Sequence, residues 1–352
     1  MKYRKFLKKI DGDNIGYESA TPEIVANFIA KDISERLGSY ASINIIDCCC
    51  GIGSDALALS KVCNFVLAVD KNKERLKIAE KNAKISRCKN IKFICADIFD
   101  LNLKNLKEEY KLNVAFADPQ RRLTENGKFK RTSNLAETSP NTINLINFLR
   151  TEIPDMCILA SSNAEVNLDL PCEKAYIGWE GRKGKRETLL VLYFGNLKRC
   201  GVSAVVLPAC AQICGTKSET ENKENFSDKP LKYLYEIKDC VVKAGLQNEL
   251  TKLTECKIWT EKFLTSEKIA ESNFFENRFK LLAVCAHENL IENLKKFNAG
   301  KIVIRGKIMP EEYTKMKNEV EGILAKFKGK EKIHIFLDDK SDKILIGKCI
   351  DF

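Results

Sequence analysis

Apolar positions along this chain fall into two rhythms that take turns. Over residues 22–37, Ile24, Val25, Phe28 and Ile29 recur at helical spacing, with Thr21 placed to cap the segment and Pro22 at its first position. Short apolar runs then alternate with amphipathic stretches. Strands are expected at 43–48, 65–70, 91–96, 114–117 and 157–160, and helices at 55–62, 72–86 and 141–150. That alternation predicts an α/β, doubly wound, Rossmann-like parallel sheet covered by helices on both faces. Two further β-rich runs, 188–194 and 203–207, are expected to close the sheet as an antiparallel hairpin.

Residues 215–230, "GTKSETENKENFSDKP", carry almost no apolar side chain and read as a linker or exposed loop. Beyond them, 231–280 is mixed and read as mostly helical. The tail then runs strand (281–285), helix (288–297), strand (301–305), helix (311–327) and two strands (333–337, 343–348). It reads as an α/β module of about 70 residues, a size that can fold alone. The expected organisation is an N-terminal helical segment (1–40), a sheet domain (41–214), a linker (215–230) and a connector with a smaller α/β domain (231–352).

Composition narrows the classes. The chain has 352 residues, 44% of them hydrophobic, and none of its apolar segments approaches the ~18 residues of a membrane span. The basic N-terminus has no apolar stretch behind it, so no secretory signal is expected and the chain reads as cytoplasmic. Fifteen cysteines in such a chain argue for small buried hydrophobes rather than disulfides, and two histidines with no paired C-x-x-C spacing argue against a metal site. The net charge of +11 is concentrated in three places: Arg121–Arg131, Arg182–Arg186, and Lys295–Lys307, which includes Lys296, Lys301 and Arg305. Separated basic clusters of this kind suggest a polyanionic partner, with RNA the expected one.

Candidate chemistry begins at Asp47–Asp55, "DCCCGIGSD", directly after the first apolar strand. A strand, Gly51-Ile52-Gly53 and a helix place backbone N–H groups around a ligand, although a G-x-G alone is shared with nicotinamide sites. Three carboxylates sharpen the reading. Asp47 lies four positions before Gly51, Asp70 ends the second strand, and Asp97 follows the third. A strand-end carboxylate suits ribose hydroxyls. Three acceptors at these places suit a cofactor with a ribose, an adenine and a cationic amino-acid part, which is S-adenosylmethionine. The fourth strand ends in "NVAFADPQRR", so Asp118 is expected to face the transferred methyl group.

The segments "DCCCGIGSDALALS", "LAVDKNKERLKIAEKNA" and "FADPQRR" resemble the class I methyltransferases that carry a THUMP-like domain and, more distantly, the trimethylguanosine synthase group. The resemblance continues through "ATPEIVANFIA", "GKRETLLVLYFGNL", "YLYEIKDCVVKAGL" and "NLKKFNAGKIVIRGK", nearly the whole chain. It implies a class I methyltransferase sheet at 41–214 and a THUMP-like α/β domain, a type associated with RNA binding, within 231–352. It also implies roles for Asp47, Gly51 and Gly53 at the methionine end, Asp70 at the ribose and Asp97 at the adenine. Lys71 and Ile98 stand beside the last two, and Asp118-Pro119 forms the active-site strand end. Two positions depart from the family pattern: "LASSNAEVNLDLP" replaces a Lys-x-x-Pro-Gly pattern, and Gln120 replaces an alanine.

Cys48, Cys49 and Cys50 then read as small filler, since adjacent strand residues face opposite sides and cannot share a metal. Asp118 is expected to orient or deprotonate a target nitrogen, and Arg121 and Arg122 to hold phosphate. With no aromatic residue after Pro119, Trp179 or Phe129 is left to stack on a base. Two other classes stay open: a methyltransferase of proteins or small molecules, and a non-catalytic RNA-binding protein on this fold.

Overall fold

The computed structural model describes residues 5–6, 10–38, 42–125, 128–215, 223–306, 308–337 and 343–350. They divide into two units, Met1–Glu219 with Asp239–Leu246, and Thr220–Lys238 with Gln247–Phe352.

The first unit contains strands β1 (Asn44–Asp47), β2 (Phe65–Asp70), β3 (Ile91–Cys95), β4 (Val114–Ala117), β5 (Arg122–Glu125), β6 (Lys128–Arg131), β7 (Met156–Ser161), β8 (Glu173–Glu180), β9 (Arg186–Tyr193), β10 (Val202–Val206) and β11 (Ala211–Gly215). Its helices are α1 (Asn14–Ser19), α2 (Glu23–Leu37), α3 (Ser54–Leu59), α4 (Lys73–Ser86), α5 (Leu103–Tyr110), α6 (Thr142–Leu149) and α7 (Asp239–Ala244). Nine strands form one sheet in the order β11-β10-β8-β9-β7-β4-β1-β2-β3. β3, β2, β1, β4 and β7 are parallel, and β9 is antiparallel to both β7 and β8. Successive residues on a strand face opposite sides. Thus Ile45, Val66 and Phe116 pack with Val25, Ile29 and Leu76 from α2 and α4. Ile46, Leu67 and Ala115 pack instead with Leu103, Leu145 and Leu149 from α5 and α6. Strands covered on both faces become continuous apolar runs, which is why they stood out. Strand order reverses at β1, so the crevice beyond the carboxyl ends of β1 and β4 is the switch point where such sheets bind ligands.

The expected hairpin of 188–194 with 203–207 does not form. Both runs join the sheet, but β8 lies between β9 and β10 and pairs with each. Its sequence, "EKAYIGWE", is polar at alternate positions, and Glu173 is buried at its start. Arg36 of α2 binds Glu173 through both terminal nitrogens at 2.7 and 3.1 Å, holding that strand in place. The α5 helix and the β5–β6 hairpin are additions to the expected elements.

The second unit is a seven-stranded sheet in the order β13-β14-β12-β15-β18-β17-β16. Its strands are β12 (Tyr233–Ile237), β13 (Lys257–Thr260), β14 (Phe263–Ser266), β15 (Phe275–Ala286), β16 (Ala299–Arg305), β17 (Glu331–Leu337) and β18 (Lys343–Cys349). Its helices are α8 (Gln247–Thr254), α9 (Leu290–Lys296) and α10 (Pro310–Ala325). Leu294 and Leu324 cover one face with Ile333 and Ile335, and Trp259, Phe263, Phe279 and Phe336 fill the other. Residues 231–280, expected to be mostly helical, hold more strand than helix: four strands begin there beside α7 and α8. Aromatic and β-branched residues such as Trp259, Thr260, Phe263 and Thr265 fit a pleated surface better than a helix. β15 pairs with β12 on one side and β18 on the other, so the tail is part of this larger sheet rather than a separate module. Within the expected linker, 216–222 lie outside the described residues. Among those described, no helix is long and apolar enough to cross a membrane.

Candidate active site

β1 ends at Asp47, and the following turn is pinned to both neighbouring strands. Cys48 N–H donates to the Phe116 carbonyl and Cys50 N–H to that of Val69, each at 2.9 Å. Gly51 and Gly53 have φ of +53° and +89°, a region costly for residues with a Cβ. A Cβ on Gly53 would also lie 3.1 Å from that of Ala79 in α4. Asp70 is clamped by two backbone donors: Gly51 N–H to Oδ2 at 2.7 Å and Asn72 N–H to Oδ1 at 2.8 Å.

A cavity of about 790 Å³ opens above this turn. Gly51, Asp70, Lys71, Asp97, Ile98, Asp118, Pro119, Arg121 and Arg122 all line it. Of the nominated residues, Gly53 and Asp47 stand behind the wall, with Asp47 only 1% exposed. Asp97 accepts from Phe99 N–H and lies 3.5 Å from the Lys71 amine. Ser161, Ser162 and Asn163, in place of the family's Lys-x-x-Pro-Gly pattern, also face the cavity. Lys243 of α7 donates to Asn163 Oδ1, and Thr188 donates to Asp239 Oδ2 at 3.1 Å. A helix far along the chain thereby fixes two lining residues.

Sequence reading missed Asp55 and Thr21. Thr21 does not cap α2; its hydroxyl donates to Asp55 Oδ2 at 2.9 Å and lies 3.5 Å from Asp118 Oδ2. Asp118 Oδ1 accepts from Arg121 at 3.1 Å. Burial, then the Asp118 charge, pushes the Asp55 carboxyl up to about 7. Burial, followed by the Asp55 charge, raises Asp47 well above the usual carboxylate range. Asp118 is also raised by burial, with Arg121 opposing. Asp47 Oδ2 and Asp55 Oδ1 are buried without a hydrogen-bond partner among the described residues. An unpaired buried carboxylate oxygen is costly, so this corner calls for a cation or a proton.

The cysteine trio lies in the turn after β1 rather than on the strand, and all three line the same cavity. Burial, then Asp47, raises all three thiols well above their ordinary value, which keeps them protonated. Thiols in that state are poor nucleophiles and poor ligands. Among the described residues, no group of His, Cys, Asp and Glu is arranged to hold a metal ion.

The N-terminal segment supplies a wall that sequence patterns did not reveal. Asn82 of α4, fully buried, accepts from Asp11 N–H and donates to the carbonyls of Asp11 and Ile52. A Cβ on Gly16 would come within 2.7 Å of Ile52, so α1 rests on the glycine turn. Gly16 and Ser19 face the cavity.

A second cavity of about 1060 Å³ adjoins the first and shares Arg121, Arg122, Arg131 and Thr188 with it. Lys5, Tyr17, Glu18, Trp179, Arg182 and Glu187 complete much of its wall. Two of the three basic clusters thus meet here. Burial drives the Lys5 amine down to about 8, opposed first by Glu187. The third cluster is in the second unit, where Lys295, Lys296 and Lys301 are exposed. Arg305 leaves that set: it donates to Glu236 at 2.7 Å and to His334 Nδ1 at 3.0 Å. Lys307 and the side chains of Lys128 and Phe129 lie outside the described residues.

Residues 40–174 match the family model described as a methyltransferase domain. In sequence the chain is similar to an uncharacterised RNA methyltransferase, TTE1812, of Caldanaerobacter subterraneus subsp. tengcongensis, with 38% identity over 77 residues. That match takes in 22% of this chain and 17% of the relative, so less than a fifth of the relative's length is spanned. In structure it is similar to a candidate methyltransferase from Porphyromonas gingivalis W83, with a TM-score of 0.70 at 16% identity. The superposition covers 95% of this chain and 82% of that one. Such a likeness establishes the fold: a Rossmann-like methyltransferase sheet with a second, smaller α/β unit.

Proposed function

We propose that this protein is an S-adenosylmethionine-dependent methyltransferase that modifies a base nitrogen in RNA. One observation carries the reading. The buried, unpartnered oxygens of Asp47 and Asp55 lie at the glycine turn, Asp47 behind the wall of a cavity that Asp55, Asp70, Asp97 and Asp118 line. Carboxylates at the glycine turn suit a cationic adenosine ligand there better than a dinucleotide's phosphates.

S-adenosylmethionine bound there supplies an electrophilic methyl group. Asp55 accepts from the ligand's charged end, and Asp47 behind it balances the charge. Asp70, already clamped, keeps lone pairs for ribose hydroxyls, and Asp97 accepts from the adenine amine. Lys71 and Ile98 flank these two. Asp118 holds the acceptor nitrogen and takes its proton; a carboxylate with a raised pKa is the stronger base. Arg121 fixes the orientation of Asp118, and Pro119 begins the loop that carries Arg121 and Arg122 past the site. Arg122 engages substrate phosphate. Much of the rate gain then comes from positioning.

The second unit, read as a THUMP-like module, adds RNA affinity through Lys295, Lys296 and Lys301. Transfer of labelled methyl groups to total RNA, total protein and small-molecule extract tests the assignment. Label confined to RNA nucleosides supports it, and label only in protein or small molecules refutes it.

A further inference from the structure

We infer that the second cavity receives a single unpaired nucleotide, its base against Trp179 and its phosphate between Arg131 and Arg182. The inference rests on the RNA reading above and narrows it to one pocket and one conformation of the strand. The cavity shares the Asp118–Arg122 loop's arginines with the cofactor cavity, so a molecule lodged in it lies on the approach to Asp118. Five cations line it, Lys5, Arg121, Arg122, Arg131 and Arg182, against the carboxylates of Glu18 and Glu187. Two of these cations are engaged elsewhere, Arg121 on Asp118 and Arg122 on Glu18. Arg131 and Arg182 have no ion-pair partner among the described residues. Guanidinium groups left open in this way match a phosphate's paired oxygens.

They are carried by two separate turns that the fold holds in place. Arg131 ends the β5–β6 hairpin, register-paired with Arg122. Arg182 lies in the β8–β9 turn, closed by Gly181 N–H on the Lys185 carbonyl. Trp179 stands at the end of β8 in the same wall, its ring half-buried and its indole N–H fully so. A base offers the exposed part of that ring a flat π face to stack on. An acidic peptide would satisfy the arginines and leave the indole ring uncovered. A duplex cannot present a base face to a concave wall without unstacking it, so the strand must be single or locally opened.

Fluorescence titration of the full-length chain, saturated with S-adenosylhomocysteine, tests this. The probes are a mixed 12-nucleotide RNA, the same RNA as a duplex, nucleoside 5′-monophosphates, the matching nucleosides and an acidic peptide. Single-stranded RNA should quench emission, and the quench should vanish in Trp179→Phe. Monophosphates should bind more tightly than nucleosides. Arg131→Gln and Arg182→Gln should each weaken RNA about tenfold and lower the salt slope by roughly 0.7. If RNA binds but neither variant nor Trp179→Phe changes anything, the pocket assignment is wrong while the RNA reading stands. Equal binding of the duplex or of the acidic peptide also overturns it. If no RNA binds at all, the RNA reading fails as well.

Discussion

The two cavities of the first unit share one loop and differ in almost everything else that faces them. Beyond the glycine turn, Asp55, Asp70, Asp97 and Asp118 line the first, with Asp47 behind them. Around the mouth of the second stand Lys5, Arg122, Arg131 and Arg182. Asp118 and Arg121, 3.1 Å apart, mark the boundary between them. The first wall also carries Lys71, Arg75, Arg121, Arg122 and Arg131, so its acidity is local to the glycine turn, where a bound cation would relieve the crowded carboxylates. The difference teaches that carboxylates gather at the glycine turn while arginines line both cavities, an arrangement that suits a cation at the turn and an anion beside the loop.

The largest expected effect is at the boundary. Asp118→Ala should lower methyl transfer by about 10²- to 10⁴-fold while cofactor affinity and the melting temperature change little. Single-turnover transfer run beside thermal melts checks it; a parallel loss of rate and melting temperature would make Asp118 a structural strand end. Next comes the acidic side. Asp55→Asn should weaken cofactor binding by about tenfold, the cost of losing one charged hydrogen bond. The same change should stabilise the cofactor-free protein at pH 8. The Asp55 carboxyl is raised to about 7, so the wild type loses stability as pH climbs from the ordinary aspartate value towards 7. The variant lacks that loss, and melting curves between pH 4 and 8 should show the gap opening over that window. A constant gap would mean Asp55 is not the titrating group.

On the basic side, Arg122→Ala should raise KM for RNA several-fold with kcat nearly unchanged, because a guanidinium that holds phosphate takes no proton. A fall in kcat alone would place Arg122 in the chemistry instead. The smallest effect belongs to the second unit. Replacing Lys295, Lys296 and Lys301 with glutamine should flatten the salt dependence of RNA binding by about 0.7 per lost contact on a single strand and leave cofactor binding intact. An unchanged slope would remove this cluster from the interface.

The acidic side was the more legible in sequence, for a physical reason. In a parallel sheet the ligand-facing residues follow directly after buried apolar runs, so Asp70, Asp97 and Asp118 announce themselves by position. Asp55 and Thr21 do not. Their meeting depends on α1 and α2 folding back onto the turn, across 34 residues of sequence. The basic side was visible only as clusters. Arg131 and Arg182 share a cavity although they stand on separate turns, and β8, with Glu173 and Lys174 at its start and Gly178 within it, did not stand out as a strand. The helical expectation for 231–280 held only at α7 and α8, since the lysines and glutamates spread through the segment hid the short aromatic strands between them. The return of α7 to the first unit left no mark in composition.

The central claim, that the acidic cavity is built for a cationic adenosine cofactor, is tested most directly by calorimetry of S-adenosylmethionine and NAD near pH 7 in buffers of different ionisation enthalpy. The charge balance at Asp47 and Asp55 predicts that S-adenosylmethionine binds with release of protons, that its affinity rises as pH passes through about 7, and that NAD does not bind. Binding of NAD with S-adenosylmethionine ignored, or S-adenosylmethionine binding with no proton release, would contradict it.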